Sequence, residues 1–170
     1  MGAYALAAEV DHGSGGREER PAALVVAERL VVRRPPTSTV VTGSSIDITL
    51  APRRLAHHLV ARGVGPDVRV ALCLERGVEM LEGVMAVLKA GGAYVALDPD
   101  YPEERLRYML ADSAPAALLA HASLAERFAG MGVPVIAIDR DSADWADAPE
   151  TDPERRGLTP EHLVYVIYTS

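Results

Sequence analysis

Cysteine is nearly missing from this 170-residue chain: Cys73 stands alone. No internal disulfide can form, and a reducing compartment suits the protein. A basic surplus is missing too. With a net charge of −7 and a pI near 5.2, no basic stripe is left to bind nucleic acid. No apolar run approaches the roughly 20 residues needed to cross a bilayer, so no membrane partner is expected. Residues 1–12 lack the basic n-region and the apolar core of a signal peptide, and Leu6 stands where a myristoylation signal needs Ser or Thr. A cytoplasmic location is therefore expected. Internal repeats are also lacking. What is present, 49% hydrophobic residues at a mean hydropathy of +0.08, fits one soluble globular domain large enough to bury a core.

The most informative stretch is Val68 to Asp98. Val68, Val70, Leu72 and Leu74 alternate, which predicts a strand ending in the turn Glu75-Arg76-Gly77. Val78, Leu81, Val84, Met85 and Leu88 then recur at three- and four-residue steps, predicting a helix over 78–90 with one apolar face. Lys89 suits the dipole of its last turn, and Gly91-Gly92 stop it. Ala93 to Leu97 return as a short strand, so the whole reads as a βαβ unit.

Around this unit the pattern continues. Gly13 to Gly16 read as a linker, because no strand precedes them and no GK[ST] follows. Pro21 to Leu30 predict a short strand closing on the charged turn Glu28-Arg29-Leu30. Val31 to Thr42 hold Arg33-Arg34-Pro35-Pro36 and are expected to be irregular. A helix is expected from Pro52, with Leu55, Ala56, Leu59 and Val60 inward and His57, His58 and Arg62 outward in solvent. Adjacent histidines diverge on a helix and have no further ligand at i+4, so they are not a metal pair.

Pro102, Glu103 and Glu104 open another helix, the two carboxylates complementing its dipole rather than forming an acid/base pair. Ala116 to Ala120 and Val133 to Ile138 predict strands, separated by a helical stretch over 124–128. Residues 139–157 read as an acidic surface loop with Trp145 alone among charges. Asp139, Asp141 and Asp144 are candidate cation ligands with nothing in the spacing to fix their geometry. The last strand, Leu163 to Tyr168, ends on Thr169 and Ser170. Strands alternating with helices predict an α/β fold, a mainly parallel sheet flanked by helices. In such sheets ligands sit beyond the carboxyl ends of the strands.

Leu88-Lys89-Ala90-Gly91-Gly92-Ala93-Tyr94-Val95-Ala96-Leu97-Asp98 resembles the second core motif of the amino-acid adenylation domains of nonribosomal peptide synthetases. Ala96 stands where that family usually has proline. Residues 98–113, DPDYPEERLRYMLADS, are also similar, and LVYVIYTS (163–170) looks like the entry to the family's third core motif. The resemblance spans Leu55 to Ser170. It frays before that: aligned on Gly43 to Ala56, the first motif keeps only Asp47 and Ile48 similar in kind. The expected division is therefore a poorly matched segment, 1–50, and a partial AMP-binding (adenylation) domain, 51–170.

The resemblance implies the large N-terminal subdomain of an adenylate-forming enzyme. The intact parent would use ATP and Mg²⁺ to convert an amino acid to aminoacyl-AMP and pass it to a carrier-protein domain. Thr169 and Ser170 match the first two positions of a phosphate-binding loop that, in the family, runs on through glycine, serine and threonine to a lysine. They are the expected nucleotide contacts; no catalytic residue and no metal ligand is assigned. The coding sequence is expected to have continued past Ser170, and this chain alone is expected to bind ATP poorly and to be inactive. The alternatives are a non-catalytic α/β interaction module docking through the sheet edge left by the last strand, and a truncated remnant without activity. Which amino acid is activated is not encoded in these residues.

Overall fold

The structure is a computed structural model and describes residues 8–10, 28–33, 50–154 and 156–169. These residues form a seven-stranded sheet with helices on both faces. The elements, in chain order, are β1 (Ala8–Val10), β2 (Glu28–Arg33), α1 (Leu50–Ala61), β3 (Arg69–Cys73), α2 (Val78–Lys89), β4 (Ala93–Ala96), α3 (Glu103–Ser113), β5 (Ala117–Ala120), α4 (Ala122–Ala125), β6 (Val135–Ala137) and β7 (Leu163–Thr169). The order across the sheet is β1-β2-β7-β4-β3-β5-β6. The five strands from β7 to β6 are parallel, as expected, and β1 and β2 add to β7 as an antiparallel ribbon.

The βαβ unit lies where the sequence places it. Val70 pairs in parallel with Tyr94, and Ala93 N–H donates to Val68 C=O across the junction at 2.9 Å. From β3 the chain steps one way to β4, then back across β3 to β5. A constant crossover hand requires the helices of those two steps to lie on opposite faces. They do. Leu55, Leu59, Ala86 and Val87 of α1 and α2 pack with Val70, Leu72 and Leu119 on one face. Leu106, Met109 and Leu110 of α3 pack with Ala71, Val95, Leu118 and Val166 on the other.

Several local features differ from the sequence expectation. Glu28 to Arg33 form a strand, so the anticipated turn and the first residues of the anticipated irregular segment are extended backbone paired to β7; residues 34–49 lie outside the described residues. α1 begins at Leu50, two residues before Pro52, whose missing N–H falls in the first turn where no helical acceptor exists. The tightly buried side of α2 is Gly83, Ala86 and Val87, while Val78 and Leu81 are 61% and 56% exposed. A Cβ on Gly83 would come within 3.3–3.4 Å of Leu74, Leu119 and Leu72, so the helix rests on the sheet along its smallest residues. Val78 and Leu81 are left outward, while Val84 of the same stripe packs on the core.

Residues 139–157 are more than a surface loop. Asp141–Trp145 form a 3-10 turn whose Trp145 is 5% exposed, its ring 5.1 Å from that of His58. The strap that follows grips both helices: Asp152 accepts from Lys89 Nζ at 2.6 Å and Arg53 Nε at 3.1 Å, and Glu150 accepts from Arg54 at 2.6 Å. Lys89 thus has an ion-pair partner in addition to its place in the helix's last turn. His57 Nε2 lies 2.9 Å from Thr151 C=O, and His58 is half-buried beside Arg62, so neither histidine is simply solvated. Finally, β7 is an interior strand, paired on both sides. The sheet edge that an interaction module was expected to use is closed by β2.

Candidate functional site at the carboxyl edge of the sheet

Parallel strands bring their carboxyl ends to one edge. There the sheet presents Cys73, Ala96, Ala120, Ala137 and Thr169 and the turns that follow them. Loop backbone beyond such an edge has free N–H groups, which is why ligands gather there. Thr169 is the last residue of β7 and opposes Glu28 of β2. Ser170, the other expected nucleotide contact, lies outside the described residues.

The turn after β4 flanks the end of β7. Leu97 N–H donates to Leu72 C=O, extending the β3–β4 ladder by one bond, and Asp98 accepts from Asp100 N–H at 2.9 Å. Arg127 donates to Pro99 C=O and to Tyr101 C=O, while the Arg105 guanidinium lies 4.2 Å over the Tyr101 ring. A turn held by one guanidinium on its carbonyls and another on its aromatic ring forms a fixed ledge.

At the next strand ends the polar groups are tied to backbone. Cys73 is buried, which pushes its thiol up to about 11. Asp139 accepts from Ala122 N–H at 2.8 Å, a bond that holds its carboxyl below the usual range, with His121 Nδ1 3.9 Å away. Asp141 accepts from Arg140 Nε at 2.7 Å and from Ala137 N–H at 2.9 Å and is lowered by both, the arginine first. Asp144 lies beside His58 instead. The candidate cation trio is therefore divided among separate tasks, and among the described residues no three His, Cys, Asp or Glu are grouped to hold a metal ion. Glu103 pairs with Arg107 at 2.8 Å, both exposed on α3.

One contact of the last strand had no forecast. The Tyr168 hydroxyl donates to Asp112 Oδ2 at 2.5 Å, next to the last residue of β7. The sequence held one clue: Asp112 is an acid in a helix's last turn, where the dipole disfavours it.

An α/β layer of this topology serves many chemistries, so geometry alone does not name one. The family model for AMP-binding enzymes matches residues 47–170. The chain belongs to the AMP-binding enzyme family. Several of its relatives are peptide synthetases, in line with the resemblance to adenylation domains. It is 47% identical over 118 residues to a linear gramicidin synthase of Brevibacillus parabrevis, covering 69% of this chain and 2% of that protein. With malpinin synthetase of Mortierella alpina the identity is 40% over 161 residues, covering 90% of this chain and 2% of that one. Among solved structures, the nonribosomal peptide synthetase FmoA3 in its alpha-methyl-L-serine-AMP bound form superposes with a TM-score of 0.65 at 28% identity, over 72% of this chain and 14% of that chain. The chain thus spans only a small share of the proteins it matches. Among the described residues no helix is long and apolar enough to cross a membrane.

Proposed function

We propose that this chain forms part of an amino-acid adenylation unit, residues 51–170 contributing the sheet layer from which the phosphate-binding loop departs. The observation that carries the reading is the position of β7: an interior parallel strand, inside the family match, whose last residue Thr169 emerges at the carboxyl edge beside a fixed ledge. The reaction of the intact parent is attack of an amino-acid carboxylate oxygen on the α-phosphorus of ATP. The bond from that phosphorus to the bridging oxygen breaks, and pyrophosphate leaves with aminoacyl-AMP formed. Such a displacement depends chiefly on positioning and charge stabilisation. Thr169 and Ser170 would offer N–H groups and hydroxyls to phosphate oxygens, with Mg²⁺ neutralising charge on the bound nucleotide. The aminoacyl group would then pass to a carrier-protein domain of the parent.

The residues of this chain do not by themselves make a nucleotide site. Lys89 is the sequence's only lysine and is paired with Asp152; the run Gly13 to Gly16 does follow a strand, β1, contrary to the sequence expectation, but it leads to no lysine. The chain supplies a platform and the first contacts. The outward pair Val78 and Leu81 on α2 is an apolar face of the kind a larger domain covers. It also keeps a second reading alive, a non-catalytic module that docks by this face.

The test is amino-acid-dependent exchange of pyrophosphate into ATP. The complete protein encoded by the gene that carries this chain is expected to catalyse it with at least one amino acid, and the isolated 170-residue chain is not. DNA past the Ser170 codon should encode, within about ten residues, a loop rich in glycine, serine and threonine that ends in lysine. No such loop in any frame, or no exchange by the complete protein, would favour the docking module. Turnover by the isolated chain that survives Thr169→Ala with Ser170→Ala would place the chemistry elsewhere.

A further inference from the structure

Tyr168 immediately precedes Thr169, and its side chain is 6% exposed against α3. Its ring meets that of Tyr108 edge-on at 6.5 Å, and its hydroxyl gives the 2.5 Å bond to Asp112 Oδ2, with Met109 C=O at 3.4 Å. An O–H to carboxylate bond of that length belongs to the strong, charge-assisted class. Asp112 gains nothing from its own helix. It lies in the last turn, where the dipole repels an anion, and that turn has no basic residue. α3 is firmly seated by buried Leu106, Met109 and Leu110, and it starts from the ledge that Arg127 holds. The carboxylate therefore anchors the end of β7 to a rigid element on one face, while β4 and β2 hold the strand within the sheet.

We propose that Asp112 is a positioning residue for nucleotide binding: through the Tyr168 hydroxyl it fixes where β7 and its last residue, Thr169, leave the sheet toward the phosphates of ATP. This rests on the adenylation reading above. Small errors in such placement are expensive, since a displacement of about 1 Å can cost on the order of a hundredfold in rate.

The experiment uses the complete protein encoded by the gene and reads pyrophosphate exchange against ATP and against the amino acid. Tyr168→Phe removes one oxygen and leaves the ring; Asp112→Ala removes the acceptor; Asp112→Asn keeps an acceptor oxygen. Both Tyr168→Phe and Asp112→Ala are expected to raise KM for ATP about tenfold while leaving KM for the amino acid within about twofold. The double variant should be no worse than either single one, because both break the same bond. Asp112→Asn should recover most of the affinity for ATP. Unchanged KM for ATP in Tyr168→Phe overturns the proposal, as does an equal rise in both KM values or lower thermal stability with normal KM values. Wild-type protein without exchange overturns the adenylation reading itself, and this role with it.

Discussion

Replacing Gly92 with alanine tests how closely α1, α2 and the β3–β4 pair are fitted together. Gly92 joins the left-handed Gly91 (φ 85°) to β4, and its N–H donates to Val87 C=O at 3.0 Å. A Cβ there would stand 2.7 Å from Val64 Cγ1, 3.0 Å from the Val68 carbonyl oxygen and 3.4 Å from Val87 Cγ1. Val64 is 2% exposed and, being β-branched, has few rotamers to retreat into. The Val68 oxygen is held by Ala93 N–H at 2.9 Å, so moving it costs a ladder bond. Overpacking of this kind costs about 1–3 kcal/mol, and two unyielding neighbours put Gly92→Ala in the upper half of that range. In a chain of this length that is a fall of roughly 4–12 °C in Tm. Urea unfolding followed by the fluorescence of Trp145 measures it directly. Gly65→Ala is the control: nothing lies within 4 Å of its added Cβ, and its backbone is not left-handed. It should be neutral, or stabilising by up to about 1 kcal/mol. A loss below about 0.5 kcal/mol for Gly92→Ala would mean that the packing tolerates the methyl and that the reasoning is wrong.

Trp145→Ala should destabilise the chain by about 3–5 kcal/mol, measured by circular dichroism, because the ring is a core residue. Asp152→Ala should cost under about 1 kcal/mol by the same measurement, since the Asp152 carboxylate in both ion pairs is largely exposed to solvent. Burial, and then the neighbouring Arg62 charge, hold His58 below its ordinary 6.5, with Asp144 and Asp141 opposing more weakly. The folded chain thus binds a proton there less readily than the unfolded one, so stability should decline as pH falls below 6.5. His58→Gln should reduce that slope in denaturation curves taken at successive pH values. Cys73, with its thiol raised to about 11 by burial, should resist a thiol reagent at neutral pH while folded and react promptly in denaturant. Reaction at the same rate in both states would contradict its place in the core.

The parts of the fold that were legible in the sequence are those whose partners lie nearby in the chain. Alternation over Val68 to Leu74, the glycine stop at Gly91-Gly92 and the apolar run 93–97 specify a βαβ unit locally. Three features were not local. β2 is a strand because β7 pairs with it, and nothing between Glu28 and Arg33 records that partner. α2 turns its small residues inward because the sheet is close, which periodicity alone reads the other way, toward the bulkier stripe of Val78 and Leu81. Trp145 is buried because α1 offers it a seat across about ninety residues of chain, so its charged neighbours disguised it. At the candidate site, Thr169 and Ser170 were visible only through resemblance to a family motif. Asp112 and Tyr168 were not visible as a pair, since the bond between them exists only once β7 lies beside α3.

The interior place of the last strand has a consequence for synthesis. Glu28 pairs with Thr169 and Arg33 with Leu163, so β2 has no sheet to join until almost the whole described chain has left the ribosome. At about 5–20 residues per second that wait is roughly 7–30 s. Through it β1 and β2 have only each other, and a lone two-stranded ribbon is marginal in water. The Leu30-Val31-Val32 segment then has at most β1 on one side, and its other edge is open to any neighbouring strand that arrives before β7 does.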